Sequence, residues 1–258
     1  MRSQRFILTV CCLAVFLSFP VFCQAEEDRT GWRLGVTPRL WVSAISVPDE
    51  DNVSHGTVLV PLFGGTLSLS PGFAPNVTLL ATGFYGKGDG DGVFTDTDTD
   101  GTIDLKRKDL EVLLRYSFSG TGFNISAGGR YVEVISEFET DSGLSAFSNR
   151  DETEAWFGEI GVGFVNDITE DGRHRMFANL IGLFGKTKSD FKDSQGFNES
   201  SSTYGAGGDI NIGYQWWVTS FANFSLRYRV FVAPEENDFD LLKFTSIHGP
   251  EASIGIVF

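Results

Sequence analysis

The chain has 258 residues, enough for one large β domain or two ordinary domains. Its 34 acidic residues outnumber its 20 basic ones, and the net charge of −14 argues against nucleic acid as a partner, since phosphates need Lys and Arg to neutralise them. The hydrophobic content of 41% is too high for a disordered acidic chain. With 30 glycines and 24 phenylalanines, the composition describes a folded, acidic protein.

Residues 1–25 predict a cleaved secretory signal peptide. Arg2 and Arg5 form a positive start, an uncharged apolar run follows, and the segment ends in small residues up to Ala25. A transmembrane anchor is the alternative, although the run is at the short end for a membrane span. The three cysteines, Cys11, Cys12 and Cys23, all lie in this segment. We therefore expect the mature domain, residues 26–258, to contain no disulfide.

Beyond residue 25 the recurring hydrophobic period is two, which is typical of β-strands. In the clearest case, Asp109–Phe118, the even positions from Leu110 onward are apolar, while Asp109, Glu111 and Arg115 share the other face. Ten such segments are predicted, at approximately 32–47, 56–69, 75–87, 103–119, 122–139, 152–166, 174–189, 201–217, 221–233 and 242–258.

The connections between these segments alternate in length. Short links are predicted near 70–74, 119–121 and 218–220, with a longer one at 167–173, and long acidic links at 48–55, 88–102, 140–151, 190–200 and 234–241. Short turns at one end and long loops at the other are typical of an up-and-down transmembrane β-barrel. We predict an all-β antiparallel barrel of about ten strands, with eight or twelve as alternatives. An even number places both termini at the short-turn end.

The alternation alone does not say which face points inward, because a soluble β-sandwich buries its apolar face and a membrane barrel exposes it to lipid. The polar stripes are nearly balanced in charge, which a confined polar core requires and a solvated surface does not. We predict that they form an ion network inside the barrel, made of Arg33, Arg39, Asp109, Glu111, Arg115, Arg130, Glu159, Asp209, Arg227, Arg229 and Glu251.

The last predicted strand carries a further signal. Ile254, Ile256 and Phe258 are apolar residues at alternate positions of the strand, and the last of them is aromatic. This pattern resembles the terminal strand of Gram-negative outer-membrane β-barrel proteins, in which it is the recognition signal for the barrel-assembly machinery. The resemblance implies an outer-membrane location with both termini periplasmic, and contact with outer-membrane lipid and lipopolysaccharide. A soluble sandwich or lipocalin-like binder is the alternative.

Small barrels are filled by their own side chains, whereas aqueous channels need about 16 strands. Ten strands with several inward arginines therefore predict a plugged lumen. The alternative is a narrow ion-conducting path through a salt-bridge network that rearranges. Both interpretations involve the same residues, so the sequence alone does not distinguish them.

The acidic link at 88–104 contains a partial calcium motif. Asp96, Asp98, Asp100 and Asp104 match oxygen-ligand positions in the first half of an EF-hand loop, with Gly101 at the sharp turn. Arg107 stands where the motif has its bidentate Glu. The loop is thus a candidate Ca²⁺ site, and a solvated acidic loop is the alternative.

The histidines offer little for catalysis. His55 and His174 have no neighbouring Asp or Cys at ligand spacing, and we interpret both as solvated. Ser246 and His248 share a face of the last strand, a placement similar to the Ser–His pair of outer-membrane lipid A deacylases, but Glu251 has the opposite parity and cannot orient the base. Omptin-type proteases need Asp pairs and an Asp–His pair, and the sequence places Asp pairs only in predicted loops. We therefore predict no enzymatic activity.

The sequence thus favours a structural or surface-interaction role for an integral barrel with a plugged polar lumen and long acidic extracellular loops. A narrow pore or transporter for small solutes or ions is the alternative, followed by a lipid hydrolase.

Overall fold

The computed structural model describes residues 31–46, 53–54, 57–94, 99–140, 148–194, 196–234 and 244–258. The predicted signal peptide lies outside these residues. The strands are β1 (Arg33–Ser46), β2 (Val53–Ser54), β3 (Thr57–Ser70), β4 (Val77–Phe94), β5 (Thr99–Ser117), β6 (Phe123–Thr140), β7 (Ser148–Asp167), β8 (His174–Asp193), β9 (Asn198–Trp217), β10 (Ala222–Pro234) and β11 (Phe244–Val257). In these ranges no helix is long and apolar enough to cross a membrane.

The ten long strands form a closed antiparallel barrel. Each pairs with its neighbours in the chain, and β1 pairs with β11 from Gly35↔Val257 to Ile45↔Ile247, which closes the sheet. The two-residue β2 adds a short pairing to the end of β4. All ten predicted segments are strands, so the predicted fold class and strand number are confirmed.

Short connections lie together at one end of the barrel, at 71–76, 118–122, 168–173 and 218–221. Gly122 shows why one of them is tight: its φ is 68°, and a Cβ there would lie 2.0 Å from the carbonyl oxygen of Val165. Leu34 and Phe258 exchange backbone hydrogen bonds of 3.2 and 2.7 Å at this same end. We call it the short-turn end, and the opposite end the far end.

At the far end the strands are longer than predicted. The expected loop at 88–102 is largely strand, because β4 and β5 stay paired from Gly88↔Leu105 to Phe94↔Thr99. The segment alternates strictly, with glycine inward and Lys87 and Asp89 outward. A Cβ at Gly88 would lie 2.4 Å from the carbonyl oxygen of Leu59, so the inward position has no room for a side chain. Parts of the expected links at 140–151 and 190–200 are also strand, at the ends of β7, β8 and β9.

The middle of the outer surface is apolar. Leu114 is 55% exposed, Ile160 66% and Leu180 53%, whereas the inward neighbour Leu113 is only 2% exposed. Along β5 the outward apolar residues run from Leu110 to Phe118, just past the strand, a height of about 20 Å at a rise of ~3.3 Å per residue and a tilt of ~40°. That height is close to the ~25 Å lipid-facing band of transmembrane barrels. The predicted assignment of the apolar stripes to the outside is therefore confirmed.

Candidate functional site in the barrel lumen

The far half of the lumen is filled by apolar side chains. Trp41 and Phe231 are 0% and 1% exposed, and they pack with Phe84 and Phe157 at ring-centroid distances of 6.0 and 6.4 Å. Leu62, Leu183 and Ile247 are buried beside them. We call Trp41, Phe84, Phe157 and Phe231 the aromatic cap. The sequence prediction placed only polar stripes inside, so it missed this cap, although Trp41 has the same parity as Arg39.

Below the cap lies a group of buried charges that we call the central ion cluster, formed by Arg107, Arg130, Arg229, Asp109, Glu111, Glu159 and Asp209. Arg130 donates to Asp109 at 2.8 Å and to Asp209 at 2.7 Å. Arg229 donates to Asp209 at 2.9 Å and lies 3.8 Å from Glu111. Glu159 lies 3.6 Å from Arg130. These contacts join strands from opposite sides of the barrel and cross-link its interior.

Arg107 belongs to this cluster, although in the sequence it stood out only as the residue at the position where an EF-hand loop has its bidentate Glu. Its side chain is 0% exposed and donates to Asp109 at 2.8 Å. Its guanidinium lies between two rings of the cap, 5.1 Å from the centroid of Trp41 and 5.1 Å from that of Phe231. Cation–π contact with desolvated rings stabilises such a buried charge. The parity shared with Asp109, two residues away, was the signal that could have found it.

A second group of charges, the lower ion cluster, lies nearer the short-turn end. Glu251 accepts hydrogen bonds of 2.5 Å from both Arg39 and Arg227. Arg39 also donates to the hydroxyl of Thr66 at 2.7 Å. One buried carboxylate therefore serves two guanidinium groups.

The remaining two predicted members of the network behave differently. Arg115 faces inward but makes no ion pair with any of the described residues, and its Nε is buried without a hydrogen-bond partner. Arg33 lies at the short-turn end and is exposed, outside both clusters. The structure thus gathers nine of the eleven predicted network residues into ion pairs, adds Arg107, and leaves Arg115 and Arg33 apart.

A cavity of about 260 Å³ occupies the lumen between the clusters and the short-turn end. Its charged lining residues are Arg39, Arg115, Arg227, Arg229 and Glu111. The rest of the lining is mostly neutral and polar, and includes Thr37, Thr66, Thr82, Asn179, Asn211, Gln215, Asn223, Ser225 and Ser253. The lumen is therefore divided along its axis into an apolar far half and a polar half at the short-turn end.

The candidate calcium ligands are not gathered in the described part of the chain. Asp96 and Asp98 lie outside the described residues, and Asp100 and Asp104 both lie in β5. Four residues of extended strand separate Asp100 from Asp104 by roughly 13 Å, unlike the compact turn of an EF-hand. Among the described residues, no group of three or more His, Cys, Asp or Glu could hold a metal ion. Calcium binding stays a prediction.

Two histidines lie on the outer face and contact tyrosines. The Nδ1 atom of His248 is 2.7 Å from the Tyr228 hydroxyl, and His174 hydrogen-bonds Tyr214 and stacks on Trp216. Neither imidazole hydrogen-bonds a carboxylate in the described structure. His55 lies outside the described residues.

The residues of the predicted assembly signal end β11. Ile254 is exposed on the outer face, and Ile256 and Phe258 are half-buried. Their parity agrees with the predicted lipid-facing stripe. Recognition by the assembly machinery stays a prediction.

Comparison with solved structures finds the outer-membrane protease OmpT of Escherichia coli, with a TM-score of 0.53, 8% identity, and coverage of 91% of this chain and 99% of OmpT. The translocator domain of the autotransporter NalP of Neisseria meningitidis has a TM-score of 0.49 and 10% identity, covering 99% and 96%. Ail, the attachment invasion locus protein of Yersinia pestis, has a TM-score of 0.38 and 14% identity, covering 88% and 99%. No protein-family model and no curated protein sequence matches the chain. The likeness to OmpT shows the fold alone, that of an outer-membrane β-barrel.

Proposed function

We propose that this chain is an integral outer-membrane protein whose closed barrel acts as a non-enzymatic scaffold and presents a charged surface outside the cell. The exposed apolar band supports the membrane location, because a soluble protein of this size rarely exposes so large a contiguous apolar surface. We further propose the orientation usual for outer-membrane barrels, in which the short-turn end faces the periplasm and the far end faces the outside of the cell.

The observation that carries the proposal is the filled far half of the lumen. The aromatic cap and the central ion cluster occupy the cross-section, and Trp41, Phe231 and Asp209 are almost fully buried. A solute that crossed would have to displace rings and break buried ion pairs at once. Since removing one partner from a buried pair costs about 3–5 kcal/mol, thermal opening of such a path is rare.

The outer surface just above the apolar band supports the interaction role. Lys108 lies 2.6 Å from Glu133, and Lys106 lies 2.9 Å from Glu137, which Arg150 also contacts at 2.9 Å. These charges face outward at the height where lipid headgroups begin. Lysines and arginines there suit lipopolysaccharide phosphates, and the carboxylates between them suit the divalent ions that bridge those phosphates. We therefore propose lipopolysaccharide as the surrounding partner of this face.

Single-channel recording in planar bilayers tests the closed lumen. We expect no stepwise current from the refolded chain, and we expect steps to appear when both cap rings are removed in the Trp41→Ala, Phe231→Ala double variant. The matched control is the Tyr204→Ala variant, since Tyr204 is an outward aromatic residue that is 80% exposed and should leave the lumen closed. Steady steps from the unmodified chain that change on substitution of Arg229 would instead support a narrow pore.

A further inference from the structure

We propose that the cavity at the short-turn end is a binding site for a small oxyanion, of the phosphate or carboxylate class. The site is distinct from the closed far half of the lumen and from the outer charged surface. Its existence depends only on the barrel interior, while its exposure to the periplasm rests on the orientation proposed above.

The buried charges around the cavity are not fully paired. Its charged lining is Arg39, Arg115, Arg227 and Arg229 with Glu111, while Glu251 pairs with Arg39 and Arg227, and Asp209 pairs with Arg229. Four guanidinium groups at the cavity therefore meet three carboxylates, and the surplus positive charge is that of Arg115. Because buried charge is costly unless compensated, the positive end attracts an anion.

Arg115 is the residue on which the proposal depends. It lines the cavity, makes no ion pair or hydrogen bond within the described structure, and its Nε–H is buried. The charged groups that act on it are Glu111, which attracts it, and Arg39, which repels it. The Nε of Arg227, on the opposite wall of the barrel, is also buried without a hydrogen-bond partner. Two guanidinium groups with donors to spare are suited to bidentate capture of an oxyanion.

The rest of the lining can complete the coordination. Asn179 donates to Asn211 at 2.8 Å and Gln215 donates to Asn223 at 2.9 Å, so two hydrogen-bonded amide pairs lie on the β8–β10 side of the cavity. A volume of about 260 Å³ exceeds the ~30 Å³ share of one water several-fold, so a hydrated phosphate fits. Arg33, exposed at the same end of the barrel, adds a positive charge near the entrance.

Isothermal titration of inorganic phosphate into the full refolded barrel in detergent at low ionic strength tests the proposal. We expect saturable binding, and we expect the Arg115→Gln variant to lose affinity by roughly tenfold or more, as removal of a charge-assisted hydrogen bond implies. The matched control is Arg173→Gln, which removes the same charge from an exposed periplasmic turn and should leave the affinity unchanged. The Arg115→Lys variant should retain part of the affinity.

The Gln215→Glu variant gives a second, nearly isosteric test that does not remove a buried arginine. It places a negative charge in the cavity and should abolish phosphate binding while the barrel still shows a heat-dependent gel shift. Absence of saturable binding to the unmodified chain, or equal loss in Arg115→Gln and Arg173→Gln, would overturn the proposal. The conductance of the Trp41→Ala, Phe231→Ala double variant bears on the scaffold proposal and not on phosphate binding. The two proposals can therefore fail independently of each other.

Discussion

Each buried carboxylate of the lumen that is well paired serves more than one arginine. Asp209 accepts from Arg130 and Arg229, and Asp109 accepts from Arg107 and Arg130. Removing one acid therefore takes a hydrogen-bonding partner from two guanidinium groups at once. Sharing of this kind makes the cluster a cross-link between distant strands rather than a set of separate pairs.

The Asp209→Ala variant should lower the free energy of unfolding by about 3–5 kcal/mol, because the buried Arg229 loses the carboxylate to which it donates its hydrogen bonds. The matched control is Glu137→Ala, which removes an exposed carboxylate from Lys106 and Arg150 and should cost at most about 1 kcal/mol. Urea unfolding of both refolded variants in lipid vesicles measures the difference. Equal stabilities for the two would contradict a cross-linking role for the cluster.

The sequence was sufficient to place most of the network, because Asp209, Arg229 and Glu251 stand on polar stripes whose parity is unambiguous. It was insufficient for Trp41 and Arg107. An inward tryptophan looks like a lipid-facing residue until the register of its strand is known, and Arg107 lay in a segment interpreted as a loop. The cavity was also beyond prediction, since its volume depends on how far side chains from several strands reach across the lumen.

The hairpin of β4 and β5 shows how composition can conceal a strand. Glycine and aspartate are frequent in turns, and the stretch from Gly86 to Gly92 contains only Gly, Lys and Asp. Its period is nevertheless two, with the inward glycines leaving room for Val58, Val60 and Leu62 of β3. The outward charged residues need no burial. Alternation was the stronger signal here, and turn composition the weaker one.

The Gly88→Val variant should destabilise the barrel by about 1–3 kcal/mol, because the added side chain meets the β3 backbone. The Asp89→Val variant introduces the same residue one position along, on the outer face, and should be nearly neutral. Urea midpoints of the two refolded variants give the comparison. If Gly88→Val were the more tolerated, this segment would not be packed as an inward-facing strand.

At the scale of the elements, the ten strands could be predicted because each has one buried and one exposed face, so that its sequence alternates with a period of two. Their far ends could not, since above the apolar band the outer face becomes charged and the inward face carries glycines or apolar residues such as Ile103 and Leu105, so the apolar-outward pattern ends. There the strands persist through cross-strand pairs such as Lys108 with Glu133. Sequence contrast therefore marks the membrane-spanning portion of each strand better than its full length.

The whole molecule reverses the arrangement of a soluble protein, with apolar residues outside and most charges of the spanning region inside. Near-balance of the inward charges was the sequence feature that indicated this arrangement, and the exposed Leu114 and Ile160 agree with it. The division of the lumen into a capped half and a cavity is a property of the closed barrel only. It follows from where inward positions change from aromatic to polar along all strands together.

The most direct test of this account compares two adjacent positions of β8. Leu180 is exposed on the outer band and Asn179 lines the lumen cavity. Because the predicted mature chain has no cysteine, Leu180→Cys and Asn179→Cys variants can each carry one environment-sensitive fluorophore, measured after refolding in vesicles that contain brominated lipid. We predict strong quenching at position 180 and little at position 179. Equal quenching at both positions, or stronger quenching at 179, would contradict a membrane barrel with a polar lumen.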